Sequence, residues 1–300
     1  IDSGIYEFPN ATEQDLRAGM KVIAENGLPL LVHAELLNGS EAGVEKKLQP
    51  RSYAAYLSSR PRQWEHDAIE LMIRLCREYN CRTHIVHLSS ADEVPQLREA
   101  RQAGLPLTVE TCPHYLYFSA EDVSDGDTRL KCSPPIRENE NRNRLWDSLR
   151  EGVIESIVSD HSPCPPDMKK VGDGDFHKSW GGISSLQLGL SIVWTEASKR
   201  GFTLLNVAEW MCRRPAELVG LQGRKGAIAP GYDADIVVWN PEASFRVEAS
   251  SLHHRHRMTP YEGRTLFGKV EKTFLRGRKI FDKGAFIGSA DGKVVLKNKN

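Results

Sequence analysis

The segment Ile157-Val158-Ser159-Asp160-His161-Ser162-Pro163-Cys164-Pro165-Pro166 decides how the chain is read. A β-branched pair runs into a carboxylate and an imidazole, and three prolines follow. Proline has no N–H to give to a strand ladder and biases the residue before it towards extended backbone. The strand must therefore stop near Asp160, and the chain must turn stiffly there. A side chain carried at such a point is held in place.

The same grammar recurs upstream. Thr12 with Asp15 three residues on resembles a capping box, and Gly27 is a natural stop, so a helix is expected over Thr12 to Gly27. The apolar run Leu28 to Glu35 follows as a strand. A second helix is expected from Glu65 to Tyr79, with Ala68, Ile69, Met72, Ile73 and Cys76 at helical spacing, leading into Thr83 to Ser90. A helix from Ala91 to Ala103 leads into Leu107 to Thr111, and another near Asn141 to Arg150 leads into Ile154 to Asp160. Helix alternating with apolar strand means an α/β fold whose parallel sheet is covered by helices. Beyond Asp160 come a loop with Gly172, Gly174, Gly181 and Gly182 and two helical stretches between Ser184 and Leu221. Short strands are expected at Gly226–Gly231, Ala234–Trp239 and Val270–Leu275, which places the domain boundary between an α/β part, 1–222, and a β-rich annex, 223–300.

Composition narrows the partners. Lys plus Arg and Asp plus Glu are 40 each, a formal net charge of zero, which argues against nucleic acid or an anionic membrane as the main partner. No apolar run approaches the roughly 18 to 20 residues of a bilayer span. The six cysteines show no C-x-x-C pair and are too dilute for a disulfide scaffold, so a reduced, intracellular setting is expected, in the cytoplasm or an organelle. The chain begins at Ile1 rather than Met, and an upstream segment is expected.

His33, His87 and Asp160 share one topological address, the carboxyl end of a parallel strand, where α/β folds carry their ligands and catalytic groups. Neutral imidazole suits zinc, and a carboxylate can both ligate a metal and accept a proton. Two histidines and an aspartate on separate strands could gather around one hydrolytic metal site. Each alone has a plainer reading: a histidine at a strand end is more often a hydrogen-bonded structural residue, and aspartate is favoured in turns.

The strings LVHAE, HIVHLSS, ETCPHYLYF, KCSPPIR, VSDHSPCPP, WGGISSLQ and GAIAPGYDADIVVWNP, in this order, resemble the allantoinases of the metal-dependent amidohydrolase superfamily from Phe8 to about Leu296. The resemblance implies a (β/α)8 barrel, of which this chain supplies the C-terminal half, with a small β-sandwich annex. It implies hydrolysis of a cyclic ureide, allantoin to allantoate, by a metal-activated hydroxide at a binuclear zinc centre bridged by a carboxylated lysine, in purine catabolism. It makes His33 and His87 ligands of the more exposed metal and Asp160 the ligand of the buried metal that also serves as general base and acid. Ser133, Trp180 and Gly181 would hold the substrate, and His84 and His114 would be structural or would stand behind the ligands. A homo-oligomer is implied as well. The alternatives are a dihydropyrimidinase-like (hydantoinase) or dihydroorotase-like hydrolase and a non-catalytic assembly protein of the same superfamily.

The sequence departs from that pattern at the first strand. The H-x-H pair and the bridging lysine of the family have no counterpart: Lys21 lies in the first expected helix, and Lys46 and Lys47 follow the His33 strand. His254-Arg255-His256 comes after every expected barrel strand and reads as a solvated basic stretch. The chain is therefore expected to be part of a longer enzyme, with little or no activity by itself.

Overall fold

Helix and strand alternate through the first half of the computed structural model, which describes residues 9–37 and 49–295. Lys46 and Lys47 lie outside the described residues. Helix α1 (Glu13–Glu25) starts at Thr12, whose hydroxyl accepts from the Asp15 N–H while the Asp15 carboxylate accepts from the Thr12 N–H, satisfying two otherwise orphaned donors. There follow β1 (Leu30–Val32), α2 (Tyr53–Ser59), α3 (Arg62–Tyr79), β2 (Thr83–Ile85), α4 (Val94–Gln102), β3 (Leu107–Thr111), α5 (Pro113–Tyr117), α6 (Asn139–Arg150) and β4 (Ser156–Ile157).

The four strands pair in the order β1-β2-β3-β4, all parallel. Val32 stands opposite Ile85, Ile85 opposite Val109, and Thr111 opposite Ile157, so the residues just after each strand reach one edge together. α3 and α4 pack their apolar faces against the sheet, with Ile69, Met72, Leu75 and Leu97 fully buried beside Ile85 and Val109.

The paired strands are shorter than the apolar runs suggest. Of the stretch expected over 154–160, only Ser156–Ile157 pairs, and β2 ends at Ile85. The cause is visible in the backbone: His87 at φ 42° and Asp160 at φ 41° turn left-handed, which no strand accommodates and which costs a non-glycine residue on the order of 1–3 kcal/mol. Both strained residues are candidate ligands.

The loop from Lys131 to Arg137 has two prolines and no ladder, so its carbonyls need other donors. They find them far away in sequence. The Tyr56 hydroxyl donates to Cys132 O at 2.8 Å, Tyr115 to Pro134 O at 2.7 Å, Ser89 to Pro135 O at 2.6 Å and Tyr53 to Ile136 O at 2.7 Å. The loop is closed by a fully buried carboxylate on α3. Glu65 accepts from the Ser89 and Ser90 N–H groups at 3.0 and 3.1 Å and from the Arg137 guanidinium at 3.2 Å, tying the end of the β2 segment to the end of the loop.

The chain divides into two units: the first runs to Gly189 and takes back His253–Pro260, and the second comprises Leu190–Leu252 and Tyr261 onward. The division thus falls elsewhere than at 222/223. In the second unit, helices α7 (Gly189–Lys199), α8 (Leu204–Ala208) and α9 (Arg214–Leu218) accompany an antiparallel sheet of β5 (Ile236–Arg246), β6 (Thr265–Leu275), β7 (Arg278–Asp282) and β8 (Ala285–Phe286). Hydrogen bonds from Ser191 Oγ to Gly268 O, 2.6 Å, from the Phe267 N–H to Thr195 Oγ1, 2.8 Å, and from the Trp194 indole to Pro241 O, 2.9 Å, join α7 to this sheet. Gly226–Gly231 forms no strand: both glycines sit near φ 86°, and Pro230 has no N–H to pair. Among the described residues, no helix is long and apolar enough to cross a membrane.

Glu65 gives a direct test. Glu65→Ala leaves two amides and the Arg137 guanidinium buried without their acceptor, and breaking such a pair from one side costs about 3–5 kcal/mol. Urea unfolding of the variant is expected to show that loss; a change below about 1 kcal/mol would contradict the role given to this carboxylate.

Candidate active site

The site builds from the edge where the parallel strands end. His33 follows β1 directly and His87 lies two residues beyond β2; their rings meet edge to face with centroids 4.7 Å apart. His33 Nδ1 and His87 Nε2 face each other at 3.0 Å. On the far side of the His33 ring, Nε2 lies 3.0 Å from the carboxylate of Glu35, which is itself fully buried and paired with Arg60. A carboxylate at Nε2 keeps the proton there and leaves the Nδ1 lone pair free to bind a cation. Burial alone would push the Glu35 pKa up, but Arg60 and His33 outweigh it and hold it down at about 2, so it is ionised.

These atoms fit a metal. Two ligands of a tetrahedral zinc at about 2.0–2.1 Å stand roughly 3.3 Å apart, close to the observed separation. The other nitrogen of His87, Nδ1, is buried with no hydrogen-bond partner, and desolvation, helped by His33, lowers the His87 pKa to about 3. A neutral imidazole is the form that ligates.

Asp160 stands near this pair without closing into one tight cluster with it. Its tight neighbours are Cys112 and His114, the three donor atoms all lying within 4.8 Å of one another. Asp160 is open to solvent at the edge, yet enough protein surrounds its carboxyl to push its pKa up to about 6; the Glu110 carboxylate adds to the rise and His33 opposes it. Glu110 is held in turn by His84, whose ring bonds Thr108 Oγ1 at 2.7 Å and Glu110 Oε2 at 2.9 Å. His84 therefore stands behind the edge. His114 is fully buried with neither ring nitrogen bonded, and burial together with His87 and Lys169 lowers its pKa to about 3. The geometry gives two places for a cation, one between His33 and His87 and one beside Asp160.

Gly181 packs against Ser133: a side-chain carbon at Gly181 would lie 3.6 Å from Ser133 Oγ, in ordinary contact, and that Oγ also meets the Tyr56 hydroxyl at 3.1 Å. The Trp180 indole donates to Ser162 Oγ at 3.1 Å, so it braces the turn after Asp160. Next to it, Gly182 lies so close to Ser162 that any added carbon would stand 2.5 Å from that side chain. The contact lets Ser162 N–H reach Ile183 O at 3.0 Å and continues the edge beyond β4. His254 is not simply solvated: it is half-buried, its ring 5.2 Å from His161 and its Nε2 3.1 Å from Ser184 Oγ.

Glu35 and Cys112 had no place in the sequence reading. Glu35 had a signal, since residues two apart on an extended chain share a face and LVHAE puts a carboxylate two positions after the histidine. Cys112 had none, because only the fold brings its sulfur to Asp160. Glu35→Gln exchanges a charged acceptor for an amide and is expected to weaken zinc binding about 10- to 100-fold in a chelator competition. Affinity equal to wild type would contradict the role of Glu35. Binding is also expected to weaken as pH falls through about 6, where Asp160 takes up a proton it must lose to ligate. Asp160→Asn should remove that inflection; an inflection kept in the variant would assign it elsewhere.

Comparison with known proteins matches this arrangement to a family. The model of the amidohydrolase family fits residues 3–280. The allantoinase of Saccharomyces cerevisiae is 44% identical over 303 residues, covering 100% of this chain and 65% of that protein. The allantoinase of Arabidopsis thaliana is 45% identical, covering 98% and 60%, and that of Escherichia coli K12 is 39% identical, covering 99% and 66%. The chain thus spans roughly three fifths to two thirds of the length of the curated relatives it matches. Among solved structures, the L-hydantoinase (dihydropyrimidinase) from Arthrobacter aurescens superposes with a TM-score of 0.87 at 28% identity, over 94% of this chain and 63% of that one. A D-hydantoinase gives a TM-score of 0.88 at 28% identity, over 96% and 65%. With its parallel sheet, its histidine pair and its aspartate at the strand ends, the chain belongs to the amidohydrolase family.

Proposed function

We propose that the protein carrying this chain is a metal-dependent hydrolase that opens the ring of allantoin to allantoate. One observation carries the chemistry: two imidazole nitrogens face each other at 3.0 Å, with a buried, ionised carboxylate behind one of them. Identities of 39–45% to curated allantoinases over nearly the whole chain support the substrate. In this reading the four-stranded parallel sheet is the second half of a (β/α)8 barrel, and zinc is the cation.

Divalent cations bound at the strand ends would supply Lewis-acid polarisation of the ring carbonyl and a lowered pKa for water. The residues of this chain do the rest. His33 and His87 hold one cation, and Glu35 fixes the His33 tautomer. Asp160 takes the second position and accepts a proton from the attacking water, then returns it to the departing ring nitrogen, a transfer that needs a carboxyl held at hydrogen-bond reach. Ser133 and the backbone at Trp180 and Gly181 would hold the ureide, and a side chain at Gly181 would stand against Ser133 Oγ.

A second reading, a hydantoinase-like enzyme, is favoured by the close superposition on hydantoinases. A substrate panel separates the two. The full-length gene product, loaded with zinc, is expected to open allantoin with kcat/KM at least about tenfold above hydantoin, dihydrouracil and dihydroorotate. Asp160→Asn is expected to lower kcat about 10²- to 10⁴-fold. Preference for hydantoin would favour the second reading, and a variant retaining most of its rate would contradict the part given to Asp160.

A further inference from the structure

Lys169 is a buried cation the mechanism above does not use. It is 2% exposed, and its ammonium meets three backbone carbonyls: Lys131 O at 2.9 Å, Trp180 O at 2.8 Å and Gly182 O at 2.6 Å. An ammonium has three N–H bonds to give, so these contacts saturate it. Among the described residues, no carboxylate forms an ion pair with it. Burying a charge without a counter-ion is expensive, and a methionine of similar length would fill the space without that cost. The three carbonyls explain the lysine, because none of them has a strand ladder to enter and only a compact three-donor group serves all of them at once.

The carbonyls also belong to two particular segments. Lys131 O precedes Cys132 and Ser133, while Trp180 O and Gly182 O flank Gly181. A second tie crosses the same gap: the Lys131 ammonium donates to Ser179 O at 2.6 Å, and the Gly182 N–H donates to Lys131 O at 2.9 Å. We propose that Lys169 is a positioning residue whose ammonium clamps the Ser133 loop to the Trp180–Gly182 turn and so sets the spacing of Ser133 and Gly181, the groups that would hold the ring substrate. The proposal rests on the reading of Ser133 and Gly181 as substrate-holding groups. The Lys169 ammonium bonds backbone carbonyls, and it acts through the backbone on either side of the Ser133–Gly181 contact.

Two variants and two kinds of readout test it on the full-length, zinc-loaded protein. Lys169→Met keeps the stem and removes all donors; Lys169→Gln keeps an N–H pair without the charge. Hydrogen exchange is expected to rise about tenfold or more in peptides covering 131–137 and 178–185, more in K169M than in K169Q, and to stay unchanged in peptides covering 83–88 and 107–111. For allantoin, KM is expected to rise about tenfold or more with kcat within about threefold, and bound zinc to stay at the wild-type level. Unchanged exchange at the two segments overturns the clamp, as does a fall in kcat with KM held. Exchange rising across all strands, or failure of both variants to fold, also overturns it, because Lys169 would then support the whole unit rather than the junction of these two segments. If the wild-type protein opens no ring at all, the proposed reaction fails, and the exchange experiment still decides whether the clamp exists.

Discussion

The contact between the Glu35 carboxylate and His33 Nε2 is the constraint on which the site depends. It sits where no water can replace it, and Arg60 on the other side keeps it charged. A carboxylate there leaves the His33 ring one useful lone pair and aims it at His87. Without it the tautomer could reverse, and His33 would present an N–H to His87 where a ligand must present a lone pair. The capacity of His33 to ligate therefore depends on a carboxylate that stands behind its ring.

Around that contact, the edge is assembled by long-range hydrogen bonds rather than by regular structure. The left-handed backbone at His87 and Asp160 ends the strands early and swings both side chains to the edge. The proline-broken loop from Lys131 to Arg137 is held by hydroxyls from α2, α5 and Ser89 and by the Glu65–Arg137 pair. Each strained or unladdered segment is satisfied by a buried polar group, as is expected where geometry is kept for function rather than for stability.

Much of this could be read in the sequence, and the limits have physical causes. α1 was legible because its capping box and its glycine stop are local signals. β3 matched its apolar run because a central strand is defined by continuous burial. The three residues His33, His87 and Asp160 were legible as strand-end groups, since apolar runs and prolines mark where strands stop. α2 was not, because seven residues carry little periodicity, and its purpose lies in tyrosine contacts with carbonyls about eighty positions away. The place of α7 was not legible for the same reason: its hydrogen bonds to Phe267 and Gly268 join residues far apart in sequence. The expected strand at Gly226–Gly231 gave too much weight to alanine and isoleucine and too little to two glycines and a proline.

The part given to His33 and His87 depends on where a cation binds. Crystals of the full-length protein grown with zinc, measured on both sides of the zinc absorption edge, locate the metal without reference to activity. An anomalous peak is expected between His33 Nδ1 and His87 Nε2, within bonding distance of both. Zinc bound elsewhere, with the two nitrogens still in contact at about 3 Å and no peak between them, would contradict it.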